Sequence, residues 1–408
     1  MPFNNSKVST ERVEPHLSSE AKRGHPVVLQ VLPSLETGGA ERGAVDVACA
    51  LVAAGGTAIV VSSGGRMVRE LERGGAKHIT LPVDSKSPLV MRANVRRLRK
   101  IILEHGVDIV HARSRAPAWS AARAAKQTGR RFVTTVHGPY SGGWLKRRYN
   151  AVMGKGDRVI AISNFVADYV KWTFNLGPPR VKIIHRGVDL HLFDPARVDA
   201  PRIINLARDW RLPDDVPIIL LPGRLTRWKG QRVFIDAVAM LGRTDLCCVI
   251  VGSDQGRTHY RQELEEHIAR RGVEAVVRIV PDCRDMPAAY MLSDVVVSAS
   301  TDPEAFGRVI AEAQAMGRPV IATNHGAAPE IVVAGSTGWL VEPGSARALA
   351  EALQDAISLT REQRDEIAHA AMARVREHFT KDRMCAETIA LYRDLLAEEG
   401  RTEAATDA

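Results

Sequence analysis

Two glutamates, Glu304 and Glu312, stand eight positions apart in the segment TDPEAFGRVIAEAQAMGRPVIAT at 301–323. Eight residues make a little over two turns of an α-helix, so both carboxylates could face one side. The helix itself is predicted at 308–315, after the AFG turn that separates the two glutamates. The start of a helix also offers unpaired backbone N–H groups to anionic or hydroxyl-rich ligands. The pattern fits a nucleotide sugar, with one carboxylate for sugar hydroxyls and one for a ribose. Two surface glutamates in an ordinary αβ unit fit it equally well.

A basic turn, GRLTRWKG at 223–230, follows an apolar stretch that is typical of a strand. Gly223 lets the chain leave that strand in a conformation that other residues avoid, and Gly230 allows close approach before the next helix. Arg224 and Lys229 then stand where a diphosphate would need charged donors. The alternative is a solvated basic turn, and the residue order excludes a Walker A loop.

The first half contributes a glycine pair and a histidine as further candidates. Gly38 and Gly39 precede a predicted helix, where backbone N–H groups can contact a phosphate or sugar. The G-x-G-x-x-G fingerprint of nicotinamide-dependent dehydrogenases is missing. His137 ends one predicted strand and His111 ends another, which is where α/β domains bind ligands. The alternative to ligand binding is a plain turn at the glycine pair and two histidines whose ring nitrogens hydrogen-bond to the backbone.

The sequence predicts no metal cofactor. It contains no D-x-D pair and no cluster with metal-ligand spacing, so carboxylates for Mg²⁺ or Mn²⁺ are not evident. The charge of a bound diphosphate would instead be neutralised by Arg224, Lys229 and helix N-termini. The G-x-S-x-G motif of serine hydrolases is also absent.

Composition indicates a globular protein of two or more domains whose cysteines are reduced. The chain has 408 residues, 45% of them hydrophobic, and five cysteines without a C-x-x-C pair. The first 26 residues are polar and contain three prolines, which predicts a disordered leader rather than a targeting signal. The longest apolar runs are of strand length, so no transmembrane helix is expected.

Charge is distributed unevenly along the chain. Residues 1–200 hold 31 Lys and Arg against 16 Asp and Glu, a net charge of +15, whereas the remainder carries −6. We therefore expect the first half to meet something anionic, such as a phosphorylated acceptor, an anionic membrane surface or nucleic acid. Helix 89–104 has an apolar stripe that predicts packing on a sheet. The segment WLKRRY at 144–149 fits either docking to anionic lipid or a solvated loop.

Strand-like and helical segments alternate twice along the chain, which predicts two parallel sheets with helices on both faces. Strands are predicted at 27–32, 58–62, 109–111, 132–136, 159–162 and 181–184, and then at 218–221, 247–251, 277–280, 295–299, 320–322 and 338–341. Two Rossmann-like units would bind ligands in the cleft between them. A polar linker is predicted at 194–201, and 364–399 is predicted to be wholly helical.

Taken in order, these motifs resemble the retaining glycosyltransferases of family 4, which have the GT-B fold. The resemblance extends over residues 27–396. It includes GGAE at 38–41, VHG at 136–138, ISN at 162–164, GVD at 187–189, GRLTRWKG at 223–230, VG at 251–252, EAFGRVIAE at 304–312, GRPVIAT at 317–323, Glu330 and GWLVEPG at 338–344. The glutamate pair downstream of GR…KG is its most specific part.

The resemblance implies a role for each matching residue in an enzyme of class EC 2.4. Roles in donor binding and catalysis would fall to Gly38, Gly39, His137, Gly223, Arg224, Lys229, Glu304, Phe306, Gly307 and Glu312. Arg224 and Lys229 would bind the diphosphate, while Glu304 and the N–H groups of Phe306 and Gly307 would hold the donor sugar. Glu312 would bind the ribose, and His137 would line the point of transfer.

The family pattern also implies a domain plan. Residues 27–197 would form the acceptor-binding domain, joined by a returning helix at 383–397, and 198–382 would bind the nucleotide sugar. Residues 1–26 would be a leader and 398–408 a flexible tail. The chain departs from the pattern at Asp282, where relatives often have glycine, and at the segment SAS at 298–300, where Pro-Ser is commoner.

The implied reaction is transfer of a sugar, with retained configuration, from a UDP- or GDP-sugar to a glycan or lipid-linked, anionic acceptor. The setting would be lipopolysaccharide, polysaccharide or glycolipid synthesis at the cytoplasmic face of the membrane, without nucleic acid. Same-face substitution is favoured, because the acceptor half offers no clear carboxylate nucleophile. The alternatives are a nucleotide-sugar epimerase or phosphorylase on the same fold, or a non-catalytic protein that binds membranes or nucleic acid.

Overall fold

The computed structural model describes residues 25–140, 142–256 and 258–406, with side chains described as far as residue 398. The leader predicted at 1–26 therefore lies almost wholly outside the described residues, as does the end of the predicted tail. The domain boundary at 197/198 stays a prediction. The two halves are described below by their sheets.

The first half contains a seven-stranded parallel sheet of order β3-β2-β1-β4-β5-β6-β7. Its strands are β1 (Val27–Val31), β2 (Thr57–Ser62), β3 (Lys77–Thr80), β4 (Ile109–Ala112), β5 (Arg131–Val136), β6 (Arg158–Ala161) and β7 (Val181–Ile183). Six of them were predicted from apolar runs, but β3 was missed. It is a half-exposed, four-residue edge strand, so it has no apolar run to reveal it.

The second half contains a six-stranded parallel sheet of order β10-β9-β8-β11-β12-β13. Its strands are β8 (Ile218–Pro222), β9 (Cys247–Val251), β10 (Val277–Val280), β11 (Val295–Ser298), β12 (Val320–Thr323) and β13 (Gly338–Val341). All six were predicted. Because helices cover both faces of this sheet, nearly every residue of these strands is apolar. Such apolar runs are easy to recognise in the sequence.

Helices connect the strands and cover both sheets. In the first half these are α1 (Gly39–Ala53), α2 (Val68–Arg73), α3 (Pro88–Glu104), α4 (Arg115–Thr128), α5 (Trp144–Asn150) and α6 (Asn164–Phe174). The second half contains α7 (Ala200–Asp209), α8 (Gln231–Leu241), α9 (Thr258–Arg271), α10 (Met286–Leu292), α11 (Arg308–Ala315), α12 (Ala328–Ile331) and α13 (Ala346–Ile357). The chain closes with α14 (Arg361–His378) and α15 (Lys381–Thr406).

The apolar stripe of α3 packs inward, as predicted. Val95, Leu98 and Ile102 are buried, and α3 lies against α4. The alternative of a loop at 144–149 is wrong, because this basic segment forms helix α5 with Trp144 and Leu145 exposed. No described helix is both long and apolar enough to cross a membrane.

The prediction of one helical segment at 364–399 is wrong, because the chain breaks between α14 and α15. Phe379 packs edge-on against Phe306, and Thr380 forms a β-bridge with Val188 of the first half. Helix α15 then packs on α1, and the Tyr392 hydroxyl lies 2.6 Å from Nδ1 of His111. Tertiary contacts, rather than a proline or glycine, end α14.

Candidate active site

An ion pair joins the turn after β8 to the loop after β11. Lys229 Nζ donates a hydrogen bond to Oε1 of Glu304 at 2.5 Å, and Ser300 Oγ donates to the same oxygen at 2.6 Å. The two charged side chains are only 13% and 14% exposed. Lys229, predicted to bind the diphosphate, and Glu304, predicted to bind the sugar, are therefore in direct contact at the carboxyl end of the second sheet.

Glycine residues allow this turn to approach its neighbours closely. The Cβ position of Gly223 lies 3.5 Å from Cδ of Lys229. Gly230 has φ +74°, and a Cβ there would lie 1.8 Å from the Ala299 carbonyl oxygen, so no other residue fits without moving the backbone. The turn therefore holds Lys229 against the end of β11.

Arg224 occupies the same turn but has a different environment. Its side chain is exposed, and among the described residues it forms no ion pair or hydrogen bond. Its carbonyl oxygen accepts a hydrogen bond from Nε2 of Gln231 at 3.0 Å, which fixes the backbone at this point. Arg224 therefore presents a free guanidinium group beside the Lys229–Glu304 pair.

The helix predicted at 308–315 is confirmed, and it carries Glu312 but not Glu304. Helix α11 begins at Arg308, after Gly307 at the N-cap with φ +90°, so Glu304 lies in the preceding loop. The Phe306 side chain is buried, yet the backbone N–H groups of Phe306 and Gly307 have no acceptor among the described residues. Two free donors therefore stand between the carboxylates.

Glu312 lies inside α11 and borders a cavity of about 540 Å³. Its Oε2 accepts a hydrogen bond from the Tyr290 hydroxyl at 3.0 Å, and its Oε1 lies 3.6 Å from Nε of Arg308. Burial raises the pKa of Glu312, while Arg308 and Tyr290 oppose that increase. Met286 and Arg202 also line the cavity. The space is within the range of small-molecule sites.

Gly39 brings the first half close to this cavity. Gly38 caps helix α1, and Gly39 is its first residue. The Cβ position of Gly39 lies 3.3 Å from Nη1 of Arg308, which also borders the cavity beside Glu312. A side chain at position 39 would have to displace the end of the Arg308 side chain, so glycine gives the N-terminus of α1 its closest approach to α11.

His137 follows β5 and is held by a buried arginine. Arg186 Nη2 donates a hydrogen bond to Nδ1 of His137 at 2.9 Å, and Arg186 is only 8% exposed. Burial, with repulsion from Arg113 and Arg308, lowers the pKa of Arg186 to about 9. Arg186 therefore remains a cation at neutral pH and can only donate.

The contact with Arg186 fixes the chemistry of the His137 ring. Nδ1 accepts a hydrogen bond, so in the neutral ring the proton is on Nε2. Burial and the charge of Arg186 hold the pKa of His137 well below its usual value. The ring is partly exposed, but Nε2 is buried and has no partner among the described residues. His137 is thus suited to donate a hydrogen bond and unsuited to act as a general base.

Replacing Arg186 with Met should release this constraint. We expect the two neutral tautomers of His137 to coexist and its pKa to rise, because a donor and a nearby positive charge are both lost. Turnover should fall about tenfold, the value of one hydrogen bond of about 1.4 kcal/mol. Nitrogen NMR of the His137 ring measures tautomer and pKa. As a control, Arg186→Lys keeps a hydrogen-bond donor and should retain most of the wild-type turnover. An unchanged nitrogen NMR spectrum of His137 in Arg186→Met would show that Arg186 does not fix the tautomer of the ring.

The two halves meet beside these residues. The Cβ position of Gly138 lies 3.2 Å from Cβ of Ala305, and Ser163 Oγ donates to the Ala305 carbonyl oxygen at 2.7 Å. Ala305 follows Glu304 directly, so the His137 loop and the Glu304 loop lie against each other. The predicted site residues from both halves thus border one cleft.

Sequence reasoning missed four residues that support the site, namely Ser300, Tyr290, Arg186 and Arg308. Ser300 could have been found, because it follows a strand at its carboxyl end. Tyr290 lies within an apolar helical stretch that carries no polar signal. Within the described ranges, no group of three or more His, Cys, Asp and Glu side chains could hold a metal ion.

Two parallel α/β sheets facing a cleft, with a final helix that packs on the first half, define a GT-B glycosyltransferase. Sequence families agree with this geometry. The family described as Glycosyltransferase Family 4 matches residues 37–192, and the family described as Glycosyl transferases group 1 matches residues 203–374. The chain belongs to the group 1 glycosyltransferases, family 4, and is a transferase of class EC 2.4.

Curated relatives with this similarity have a common activity in their names. D-inositol 3-phosphate glycosyltransferase 1 of Catenulispora acidiphila is 31% identical over 294 residues, which are 65% of this chain and 68% of the relative. D-inositol 3-phosphate glycosyltransferase of Streptomyces avermitilis is 33% identical over 213 residues, half of this chain and 45% of the relative. The match thus covers about half to two thirds of these proteins.

Solved structures match over most of the chain. A glycosyltransferase of Rickettsia africae is 37% identical, with a TM-score of 0.85 over 91% of this chain and 99% of the other. The Anabaena protein HepE, crystallised with UDP-glucose, is 25% identical, with a TM-score of 0.77 over 90% of this chain and all of the other.

Proposed function

We propose that the protein transfers a sugar, with retained configuration, from a UDP-sugar to an anionic glycan or lipid-linked acceptor. The observation that carries the proposal is the buried Lys229–Glu304 pair with the free Arg224 beside it. A diphosphate needs cations, a sugar needs a carboxylate acceptor, and here both meet at one sheet edge. The HepE complex with UDP-glucose supports UDP over GDP as the nucleotide.

The donor would lie along α11 and the turn after β8. Lys229 and Arg224 would bind the diphosphate, and Glu304 would accept hydrogen bonds from sugar hydroxyls beside the free N–H groups of Phe306 and Gly307. Glu312 would accept from the ribose hydroxyls inside the 540 Å³ cavity. The Lys229–Glu304 pair would then loosen on binding, as the phosphate takes over part of the charge of Lys229.

Transfer would occur on one face of the sugar. The acceptor oxygen would bond to the anomeric carbon as the bond to the phosphate oxygen breaks, and the acceptor proton would pass to the departing phosphate. Arg224 and Lys229 would stabilise the charge that develops on that phosphate. His137, neutral and protonated at Nε2, would position a sugar hydroxyl rather than remove a proton. Bound metal is not required in this scheme.

The acceptor would be anionic and presented at a membrane, as in lipopolysaccharide, polysaccharide or glycolipid synthesis. The net charge of +15 on residues 1–200 favours an anionic partner. The names of the curated relatives refer to a phosphorylated acceptor class. Helix α5 exposes Trp144 and Leu145 next to Lys146, Arg147 and Arg148, a combination that suits the surface of an anionic bilayer.

A nucleotide-release assay tests the proposal. UDP-, GDP- and ADP-sugars are incubated with the protein, with and without a membrane extract, and with and without EDTA. We expect UDP release that the extract stimulates and EDTA leaves unchanged, and NMR of the product should show a retained anomeric configuration. Release that requires inorganic phosphate would indicate a phosphorylase, and donor conversion without nucleotide release an epimerase.

A further inference from the structure

A second cavity, of about 810 Å³, opens at the carboxyl end of the first sheet. Pro33, Ser114 and Pro139 border it, and each follows the end of one strand, β1, β4 or β5. Parallel α/β sheets bind ligands at this edge. The loop that carries His137 continues directly into Pro139 and Tyr140, so the cavity begins where the proposed transfer point ends.

Basic side chains dominate the lining of this cavity. Lys86, Arg115 and Lys146 border it against one carboxylate, Asp84. Within the described ranges, none of the three cations forms an ion pair with an acidic residue. Their charges are therefore not neutralised by the protein, and a cavity with an excess of positive charge attracts anions.

Arg115 is held in place by neutral groups. Its guanidinium lies 4.5 Å from the centre of the Tyr140 ring, and its Nη1 donates to Oδ1 of Asn150 at 3.2 Å. Burial raises the pKa of Tyr140, and Arg115 opposes this increase, so the phenol stays neutral. Stacking and one hydrogen bond orient the guanidinium and leave its remaining donors for an oxyanion.

A buried hydroxyl in the same lining lacks a partner. The Tyr149 oxygen is shielded from solvent and forms no hydrogen bond with the described residues. Burial raises the pKa of Tyr149, so the group keeps its proton and can donate. An unpaired buried hydroxyl costs about 1–3 kcal/mol. Because this oxygen is shielded from the cavity as well as from bulk solvent, the attraction of the cavity for anions comes from its unpaired cations.

We propose that this cavity binds a phosphate group on the acceptor, with Arg115 as its main ligand. The inference rests on the proposed function and specifies which part of the acceptor is recognised. Lys86 and Lys146 would supply further charge. Helix α4 begins at Arg115, so the positive end of its dipole faces the same place.

Titration calorimetry with three probes tests the site without requiring turnover. The probes are inositol 3-phosphate, uncharged myo-inositol and dioctanoyl phosphatidic acid, each with full-length protein saturated with UDP. Inositol 3-phosphate should bind at least tenfold more tightly than myo-inositol. Tighter binding of the lipid phosphate would identify a lipid-linked source, and tighter binding of the sugar phosphate a soluble one. Equal binding of inositol 3-phosphate and myo-inositol, together with no binding of phosphatidic acid, would overturn the proposal.

Two variants of helix α4 make the test specific. Arg115→Met removes the charge but keeps the length of the side chain, and should weaken phosphate binding about 10- to 100-fold, the value of a charged hydrogen bond. Arg123→Met removes an exposed charge from the same helix, outside the cavity, and should change nothing. Equal losses in both, or none in Arg115→Met, would overturn the assignment.

The two proposals fail separately. Slow hydrolysis of UDP-sugar without acceptor reports on the donor half, so it should be equal in the wild type and the control Arg123→Met. If the wild type hydrolyses the UDP-sugar but Arg115→Met binds inositol 3-phosphate as tightly as the wild type does, this inference alone is rejected. If Arg115→Met abolishes phosphate binding but the wild type releases no nucleotide from any sugar donor, the proposed function alone is rejected.

Discussion

Arg224→Ala should turn over donor about 100-fold more slowly than the wild type and unfold at the same denaturant concentration. The slower turnover is expected because one electrostatic donor to the leaving group contributes about 2.7–4 kcal/mol to transition-state stabilisation. Stability should not change, because the exposed Arg224 side chain contacts no partner among the described residues. Steady-state kinetics and urea unfolding of the same preparation measure both quantities.

Lys229→Ala should show the same loss of turnover together with a loss of stability. Without Lys229, the Glu304 carboxylate would keep only the Ser300 hydroxyl as a partner while remaining largely buried. Leaving such a group unpaired costs roughly 1–3 kcal/mol. The two variants therefore differ in stability but not in catalysis, which separates the chemical role of the turn from its structural one.

Arg227→Ala is the matched control, since it removes a third cation from the same turn. Arg227 pairs with Glu263 at the surface, with 65% of its side chain exposed. Because exposed ion pairs contribute little, its loss should leave both stability and turnover unchanged. Near-normal turnover in both Arg224→Ala and Lys229→Ala would show that the diphosphate binds elsewhere.

The positions of the charged residues along the chain could be predicted from sequence, but their pairing could not. Arg224, Lys229 and Glu304 each follow an apolar strand, so parallel topology places them at one sheet edge. The contact between Lys229 and Glu304 joins residues that are 75 positions apart, and no local pattern reveals such a partner. The same holds for Arg186 and His137, which meet only after β5 and β7 lie in one sheet.

Errors in the predicted elements have physical causes too. The helix at 308–315 was predicted correctly, and Gly307 adopts the left-handed conformation that starts it after Glu304. The break at Phe379 has no local signal, because the contacts with Phe306 and Val188 create it. Buried central strands were recognised, whereas the half-exposed edge strand β3 was not.

Glu330→Ala should destabilise the contact between the two halves more than any other single change at the cleft. Its carboxylate accepts hydrogen bonds from the backbone N–H groups of Asn164 and Phe165 at 2.8 and 2.9 Å. The Asn164 side chain and Nε2 of His185 donate to it as well, at 2.8 and 3.0 Å. A residue of the second half thus caps helix α6 of the first half.

The expected loss is about 2–4 kcal/mol in the free energy of unfolding, because several donors would be left without an acceptor. Urea unfolding of wild type and variant measures the difference. Glu351→Ala is the control, since its pair with Arg347 is exposed at the surface and should contribute less than about 0.5 kcal/mol. An equal effect of the two substitutions would show that Glu330 does not hold the halves together.

The stabilisation by Glu330 should depend on pH with a defined sign. Burial opposes ionisation of Glu330, but hydrogen bonds from His185, Phe165 and Asn164 outweigh it, so its pKa in the folded protein lies below the usual value of 4.5. A carboxylate with a lowered pKa in the folded state stabilises the protein at pH values above its pKa in the unfolded state. That stabilisation is lost as the pH falls through its pKa in the folded state. The stability difference between wild type and Glu330→Gln should therefore shrink as the pH falls below 4.5.

The same contact should also affect catalysis. His137 belongs to the first half and Glu304 to the second, and the Ser163–Ala305 hydrogen bond and the Glu330 cap both hold the start of helix α6 against the second half. Without Glu330, a smaller fraction of molecules would hold both loops in contact, and turnover falls in proportion to that fraction. Glu330→Ala should thus lower turnover and acceptor affinity together, while the affinity for UDP, whose proposed ligands Arg224, Lys229 and Glu312 lie in the second half, stays within about twofold of wild type. Weaker UDP binding in this variant would mean that Glu330 acts on the donor site itself.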